Sequence, residues 1–522
     1  MGRVRKKTNT KKVEKVEEKN EKIEKDLNIE KEEKVEKEEK TVAKKKVKIN
    51  KKRCILIGCA LIVLVAVIYL LVAFFTRVKE YPIIYKGKDN NLYLLRDGDK
   101  PEEAVVFSRR DGIGYISFFN DTPRYFLYKK SVDLYLYDVK ELKDTKIISD
   151  YSASFVTNND KYVVAVNTVG QIYSYNVRKG KLIQVGEDLM GDIAFTDKAI
   201  LYETQDKNLT LSFLDGKEKD IEIASNVKAY QFSKDGSKII YINEDNELIS
   251  YVIKKKKDTK INEDVEEFYC DSDECDKIYY VMNTDERDIL YYNGSKSSVY
   301  VKDVYALEAV DVDAELLLYS EKKDDSLVLY LKNTDDESIE LNDEYGIGGY
   351  ARIFDSKYVY YVNGKKTFYV YNIKKDKTTE LGKNISGRFV KNKNGYYVFG
   401  DVSAGGNGIL YSVEEEKIEE IDDNVYTLNY YSINKDGDKI YYYKDYAEKV
   451  GSLKVYDGKE ASLIAEKVYM YQYVNDKMIY FIKDYDLLNM SGTLYRFDGK
   501  KDEQLAEKVQ SIVQFNVNQY RK

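Results

Sequence analysis

The chain of 522 residues has no histidine, no tryptophan, three prolines and four cysteines. Without histidine there is no Ser-His or Cys-His nucleophile, no His-ligated zinc and no HExxH helix. No GxSxG elbow, no GxxxxGK[ST] phosphate loop and no GxGxxG opening a helix is present either. The scarcity of proline leaves the turns to Gly, Asn and Asp. Two cysteines, Cys54 and Cys59, sit in an apolar run, so Cys270 and Cys275 are the only others. They form a disulfide candidate if that part of the chain lies outside the cytoplasm, where such bonds persist. These absences exclude most enzymes, and no catalytic, cofactor-binding or metal-ligating residue is nominated.

Long uncharged runs are also absent, with one exception. Residues 54–75 are almost wholly apolar and uncharged, the length that crosses the roughly 30 Å hydrocarbon core as a helix. A cleaved signal peptide has a shorter basic start and an apolar stretch of about 7–15 residues. Leu56-Ile57-Gly58-Cys59 spells a lipobox, but the apolar run continues to Phe75 instead of ending at the cysteine. The spacing therefore predicts a single transmembrane helix over 54–75. Lys44, Lys45, Lys46, Lys48, Lys51, Lys52 and Arg53 crowd its N-terminal flank, whereas Arg77, Lys79 and Glu80 follow it. Lysine and arginine accumulate on the cytoplasmic side, so the expectation is a cytoplasmic N-terminus and an extracytoplasmic body at the cell membrane.

The net charge of −6 divides unevenly. Residues 1–53 carry 21 Lys+Arg and 12 Asp+Glu, leaving 64 basic and 79 acidic residues for the body. Such a tail cannot bury enough apolar area to offset its chain entropy and reads as disordered or partly helical. A short heptad-like seam from Val13 to Leu27 stops before a coiled coil is established. The basic flank Lys44 to Arg53 is attracted to anionic lipid, at about 1 kcal/mol per Lys or Arg. The acidic body would repel nucleic acid.

The body repeats. Lys439-Ile440-Tyr441-Tyr442-Tyr443, Val455-Tyr456-Asp457-Gly458-Lys459 and Ala465-Glu466-Lys467-Val468 return as Lys477-Met478-Ile479-Tyr480-Phe481, Arg496-Phe497-Asp498-Gly499-Lys500 and Ala506-Glu507-Lys508-Val509. Similar openings occur at Lys161, Lys198, Lys238, Lys277 and Lys357, with weaker ones near Ile83, Arg124, Leu316 and Gly395. These make eleven units spaced by 37–44 residues, a period belonging to propeller blades of four short strands. Asp215-Gly216, Asp235-Gly236, Asn293-Gly294 and Asn363-Gly364 supply hairpin turns. Between them Val, Ile, Tyr and Phe alternate with polar residues, as half-buried strands require. Eleven units exceed the four to eight usual in one ring. The expectation is an all-β tandem propeller, 76–310 and 311–522, with a single ring as the alternative.

Phe232-Ser233-Lys234-Asp235-Gly236-Ser237-Lys238-Ile239-Ile240-Tyr241 resembles the WD40-like repeat of TolB-type propellers, and Ile433-Asn434-Lys435-Asp436-Gly437-Asp438-Lys439-Ile440-Tyr441 echoes it. The chain also resembles membrane-anchored propeller proteins of the Gram-positive surface. That resemblance implies a platform for protein or ligand binding and transfers no catalytic residue.

Carboxylate chemistry needs only two acids at a suitable separation, but 79 acids nominate no pair. A sialidase-type repeat would close on an aromatic residue, and tryptophan is absent. Asp271-Ser272-Asp273-Glu274-Cys275-Asp276 is the densest acidic turn, yet it lacks EF-hand spacing and reads as solvated. Gly405-Gly406-Asn407-Gly408 reads as a hairpin tip. The 51 tyrosines include the doublets Tyr279-Tyr280, Tyr360-Tyr361, Tyr396-Tyr397 and Tyr430-Tyr431. One ring of each doublet is expected to pack between blades and the other to cover the solvent face. The reading is a non-catalytic platform with an unknown protein or glycan partner outside and no cofactor. The alternatives are a cell-wall or carbohydrate-binding module and a carboxylate-dependent glycosidase.

Overall fold

The structure, a computed structural model, describes residues 81–514 apart from 97, 109–112, 120–121, 271, 334–336 and 429–430. The charged tail and the apolar run 54–75 lie outside the described residues. Among the described residues no helix is long and apolar enough to cross a membrane.

Strands and turns make up nearly all that is described, with two single-turn 3₁₀ helices. Seven separate four-stranded antiparallel sheets follow one another along the chain, each with its strands in sequence order. They cover residues 113–148, 151–186, 189–225, 229–262, 265–301, 306–342 and 350–382. Such four-stranded meanders are typical of propeller blades. Within a sheet, burial falls from the second strand to the fourth. Tyr162–Asn167 and Ile278–Met282 are buried along almost their whole length, whereas Lys143–Ile148 and Lys257–Asn262 expose their first four residues. The second strands therefore read as continuous Val, Ile and Tyr runs and do not alternate, because both of their faces meet another sheet.

The tyrosine doublets follow from that two-sided burial. Successive strand residues point to opposite faces, so Tyr279 packs toward the sheet 306–342 and Tyr280 toward the sheet 229–262. Tyr361 and Tyr360 divide in the same way, as do Tyr396 and Tyr397. All six are buried, which corrects the expectation that one ring of each doublet faces solvent. Tyr430 lies outside the described residues.

The remaining strands join one fourteen-stranded sheet. Long strands change partners part-way. Ala461–Asn475 pairs with Val450–Tyr456 over Ala461 to Val468, then with Met478–Asp486 over Val468 to Asn475. The switch falls beside Lys467, which has φ 53°. Asp502–Ile512 repeats the device beside Lys508 (φ 58°) and passes from Ser491–Phe497 to the N-terminal strand Ile83–Gly87. The C-terminal strand is thus hydrogen-bonded to the first described strand.

Apolar clusters fill the contacts between consecutive sheets. One joins Tyr279, Val281 and Ile289 to Leu317, Tyr319 and Val328. The boundary expected between 310 and 311 falls within the strand Ala306–Asp311, the first of the second sheet in this contact. Another cluster joins Tyr480, Ile482 and Leu494 to Ile83, Tyr85 and Leu94, and these in turn to Phe126 and Tyr128.

Candidate functional site

A four-stranded antiparallel sheet places its first and third turns at one end, and its second turn, with the link to the next sheet, at the other. The two ends differ chemically here.

At the turn end, acids and lysines couple neighbouring sheets. Lys238, which opens a second strand, donates to Asp276 at the first turn of the next sheet. Lys277, beside that aspartate, donates to Glu315 one sheet further on, at 2.5 Å. Lys439 reaches Asp476 at 2.8 Å. Asn159 donates its backbone N–H to Asp197 at 3.1 Å. Three of the lysines that mark the repeat in sequence thus tie successive units together. The TolB-like turn has the same logic: Ser233 accepts from the N–H of Lys238 at 2.9 Å, and Gly236 adopts φ 68°. Cys270 and Cys275 lie together in the neighbouring turn with Cα atoms 5.4 Å apart, within the span a disulfide bridges. Gln231 of the preceding sheet donates to the Cys270 carbonyl at 2.6 Å. Asp273 and Asp276 of the acidic turn are likewise engaged with that sheet, through Asp235 and Lys238. Among the described residues no cluster of acids or cysteines could hold a metal ion.

At the link end, a left-handed residue precedes each of several first strands: Asp150, Asp188, Asp264 and Asn384 have φ between 52° and 59°. Asp and Asn tolerate this region better than other non-glycine residues. Each accepts a backbone hydrogen bond from the next sheet's second turn, donated by Thr168, Gln205, Asn283 and Asp401 respectively. This frame carries exposed apolar side chains. Leu488 is 97 % exposed, Ile347 89 %, Val169 66 % and Met490 62 %. Val132, Val402, Leu428, Leu487, Met190 and Tyr305 share the same end. Among the described residues fifteen large apolar side chains are exposed and these make ten of them, whereas Leu142 and Leu182 lie at or beside the turn end. Tyr469 and Tyr485 stack at 3.7 Å beneath the Leu487 to Met490 tip, and Tyr426 stacks on Tyr446 at 4.3 Å near Leu428. Gly405 and Gly406 belong to the hairpin beside Val402, as the sequence indicates.

Among the described residues the most buried charge is Asp422, 9 % exposed. It accepts from Lys444 and Lys454, both at 2.5 Å, and from Tyr442 at 2.9 Å. Burial pushes its carboxyl up, but these three donors outweigh burial and hold it below the usual range. The network lies within one sheet and ties its strands together. Sequence reasoning missed it, since Asp422 looks like any other acid of an edge strand. Two crevices open at the turn end, of about 250 Å³ and 460 Å³, on either side of Lys393 and Asn394. These surfaces offer apolar contact at one end and polar contact at the other.

No family model and no curated relative matches the chain. Among solved structures it is similar to the tricorn protease at 12% identity with a TM-score of 0.26, covering 77% of this chain and 58% of that one. It is also similar to Kluyveromyces lactis Hsv2 (11% identity, TM-score 0.30, 52% of this chain and 99% of that one). A third is the dihydro-heme d1 dehydrogenase NirN (16% identity, TM-score 0.31, 58% and 74%). The chain spans less than two thirds of the tricorn protease.

Proposed function

We propose that this chain is a single-pass, membrane-anchored β-propeller, its body outside the cytoplasm, that binds a partner protein through the link end without catalysing a reaction. The observation that carries this reading is the gathering of exposed apolar side chains at one end of the sheets. Contiguous exposed apolar surface rimmed by polar residues marks interaction sites, and loops held by a rigid scaffold are where binding groups concentrate. The apolar run 54–75 and its basic flank support the anchor and its orientation.

The finer architecture belongs to the same proposal. The body is one closed ring of eleven four-stranded sheets, the first completed by the C-terminal strand. Support comes from the unbroken series of sheet-to-sheet clusters and from the pairing of Tyr85 with Ile512. Sharing a sheet between the two ends of the chain makes opening the ring cost several strand hydrogen bonds at once.

A photo-crosslinking residue placed at Leu488 or Ile347 of the full-length protein in intact membranes tests the reading. It should capture a discrete partner that the same residue at Lys161 or Lys477 does not, and Leu488→Glu should abolish capture at Ile347. Equal capture from both ends would defeat it. Turnover of a peptide or polysaccharide, abolished by one Asp or Glu substitution, would replace it with an enzyme.

A further inference from the structure

Among the described residues the acid–lysine coupling made by Lys238, Lys277 and Lys439 is absent at several unit boundaries, one of which lies between Lys357 and Asp438. The residue pair that opens a second strand is Asp276-Lys277, Asp438-Lys439 or Asp476-Lys477 in some units and Ser237-Lys238, Glu315-Leu316 or Ser356-Lys357 in others, and it is Asn394-Gly395 here. Lys357 of the preceding unit shares a crevice with the Asn394 amide, whereas Lys238, Lys277 and Lys439 each have a carboxylate of the next unit. Asp438 of the following unit has Gly395 at the position that Lys439 holds toward Asp476. Among the described residues Lys357 has no ion-pair partner, and Asp438 turns back to accept from Asn434 at 2.7 Å. Gly395 cannot be replaced by a longer residue. A Cβ there would lie 2.1 Å from the Val413 carbonyl, because the hairpin partner passes directly over it.

Both crevices open at this interruption. The smaller, about 250 Å³, lies between Asn394 and Asp438 and is lined by Asn392, Ser412, Glu419 and Tyr456. The larger, about 460 Å³, lies between Asn394 and Lys357 and is lined by Tyr358 and Asp355. They share Lys393, Asn394, Glu414 and Lys417, so one ligand can run through both. The larger is within the roughly 300–1,000 Å³ of small-ligand clefts. Asn394 is held by donating to Glu414 at 2.9 Å, and the floor is pinned by Lys393 donating to the Gly437 carbonyl at 2.9 Å.

We propose that these paired crevices bind a short neutral glycan segment. The lining mixes amides, a hydroxyl, and charges of both signs, which suits hydroxyl groups that both donate and accept. Charges of both signs also disfavour a ligand of high net charge. Tyr358 and Tyr456, each half-buried, offer ring faces against which the C–H faces of a pyranose pack while the rim supplies hydrogen bonds. This site is at the opposite end of the sheets from the proposed protein surface and does not depend on it.

Calorimetric titration of the detergent-solubilised full-length protein with chitotetraose and with cellotetraose tests the assignment. Saturable binding of at least one is expected. Asn394→Asp supplies Lys357 with the carboxylate it lacks and should weaken binding tenfold or more while leaving the melting temperature unchanged or higher. Tyr456→Ala should weaken binding comparably, and Lys181→Ala, on another sheet, should not. Binding of neither oligosaccharide would overturn the proposal. So would binding indifferent to both Asn394→Asp and Tyr456→Ala, or binding of inorganic polyphosphate in place of the sugars.

Discussion

Lys439 Nζ lies 2.8 Å from Asp476 Oδ2, across 37 residues of chain and from one repeat unit to the next. Tyr441 and Tyr473 donate to the other oxygen of the same carboxylate, each at 2.9 Å. One acid thereby joins two repeat units. Burial pushes the Asp476 carboxyl up, but the three donors prevail and hold it below its ordinary value. A depressed carboxylate contributes stability that is present above its unfolded pKa of about 3.9 and is lost as pH falls through the folded value. Asp476→Asn should cost about 1–2 kcal/mol at pH 7 and flatten the acid limb of the stability curve. Thermal melts of both proteins between pH 2 and 7 would show this, and parallel curves would contradict it.

Asp422 offers a sharper contrast. Asp422→Ala leaves Lys444 and Lys454 without their shared partner in a largely buried setting and should cost about 3–5 kcal/mol. Tyr442→Phe removes one of three donors and should cost about 1 kcal/mol. Urea unfolding would rank them. Equal effects would mean that the carboxylate is not the hub of the network.

At the link corners the conformation is what matters. Asp264 has φ 54° and its carbonyl accepts from the N–H of Asn283 at 2.6 Å. Asp264→Val should destabilise by about 1–2 kcal/mol, since a β-branched residue is strained there. Asp264→Gly should be close to neutral. If both variants melt alike, the left-handed geometry is not retained in solution.

A disulfide between Cys270 and Cys275 would close a very short loop, for which the chain-entropy account gives about 2 kcal/mol. Thiol labelling of the unreduced, unfolded protein should leave both cysteines unmodified, and labelling after reduction should modify both. Quantitative labelling without reductant would rule the bond out.

For the anchor, protease added to intact cells after wall removal should digest the Tyr-rich body and spare residues 1–53. Protection of the body would reverse the orientation read from Lys44 to Arg53.

The sequence by itself determined the repeat, its strand content and its turns. Strand identity and turn chemistry are local matters, written in β-branched and aromatic runs and in pairs such as Asp235-Gly236. The tertiary structure decided what lies beside what. Tyr279 and Tyr280 are the same residue type in the same strand, and only the presence of a sheet on each side buries both. Lys439 and Asp476 carry no mark in sequence that they are partners, because their contact depends on how consecutive repeat units stack. The substitution of Asn394-Gly395 for an acid–lysine pair is visible in the chain, but it means nothing until Lys357 and Asp438 are placed on either side of it. Packing across sheets is the physical term that one sequence read strand by strand does not contain.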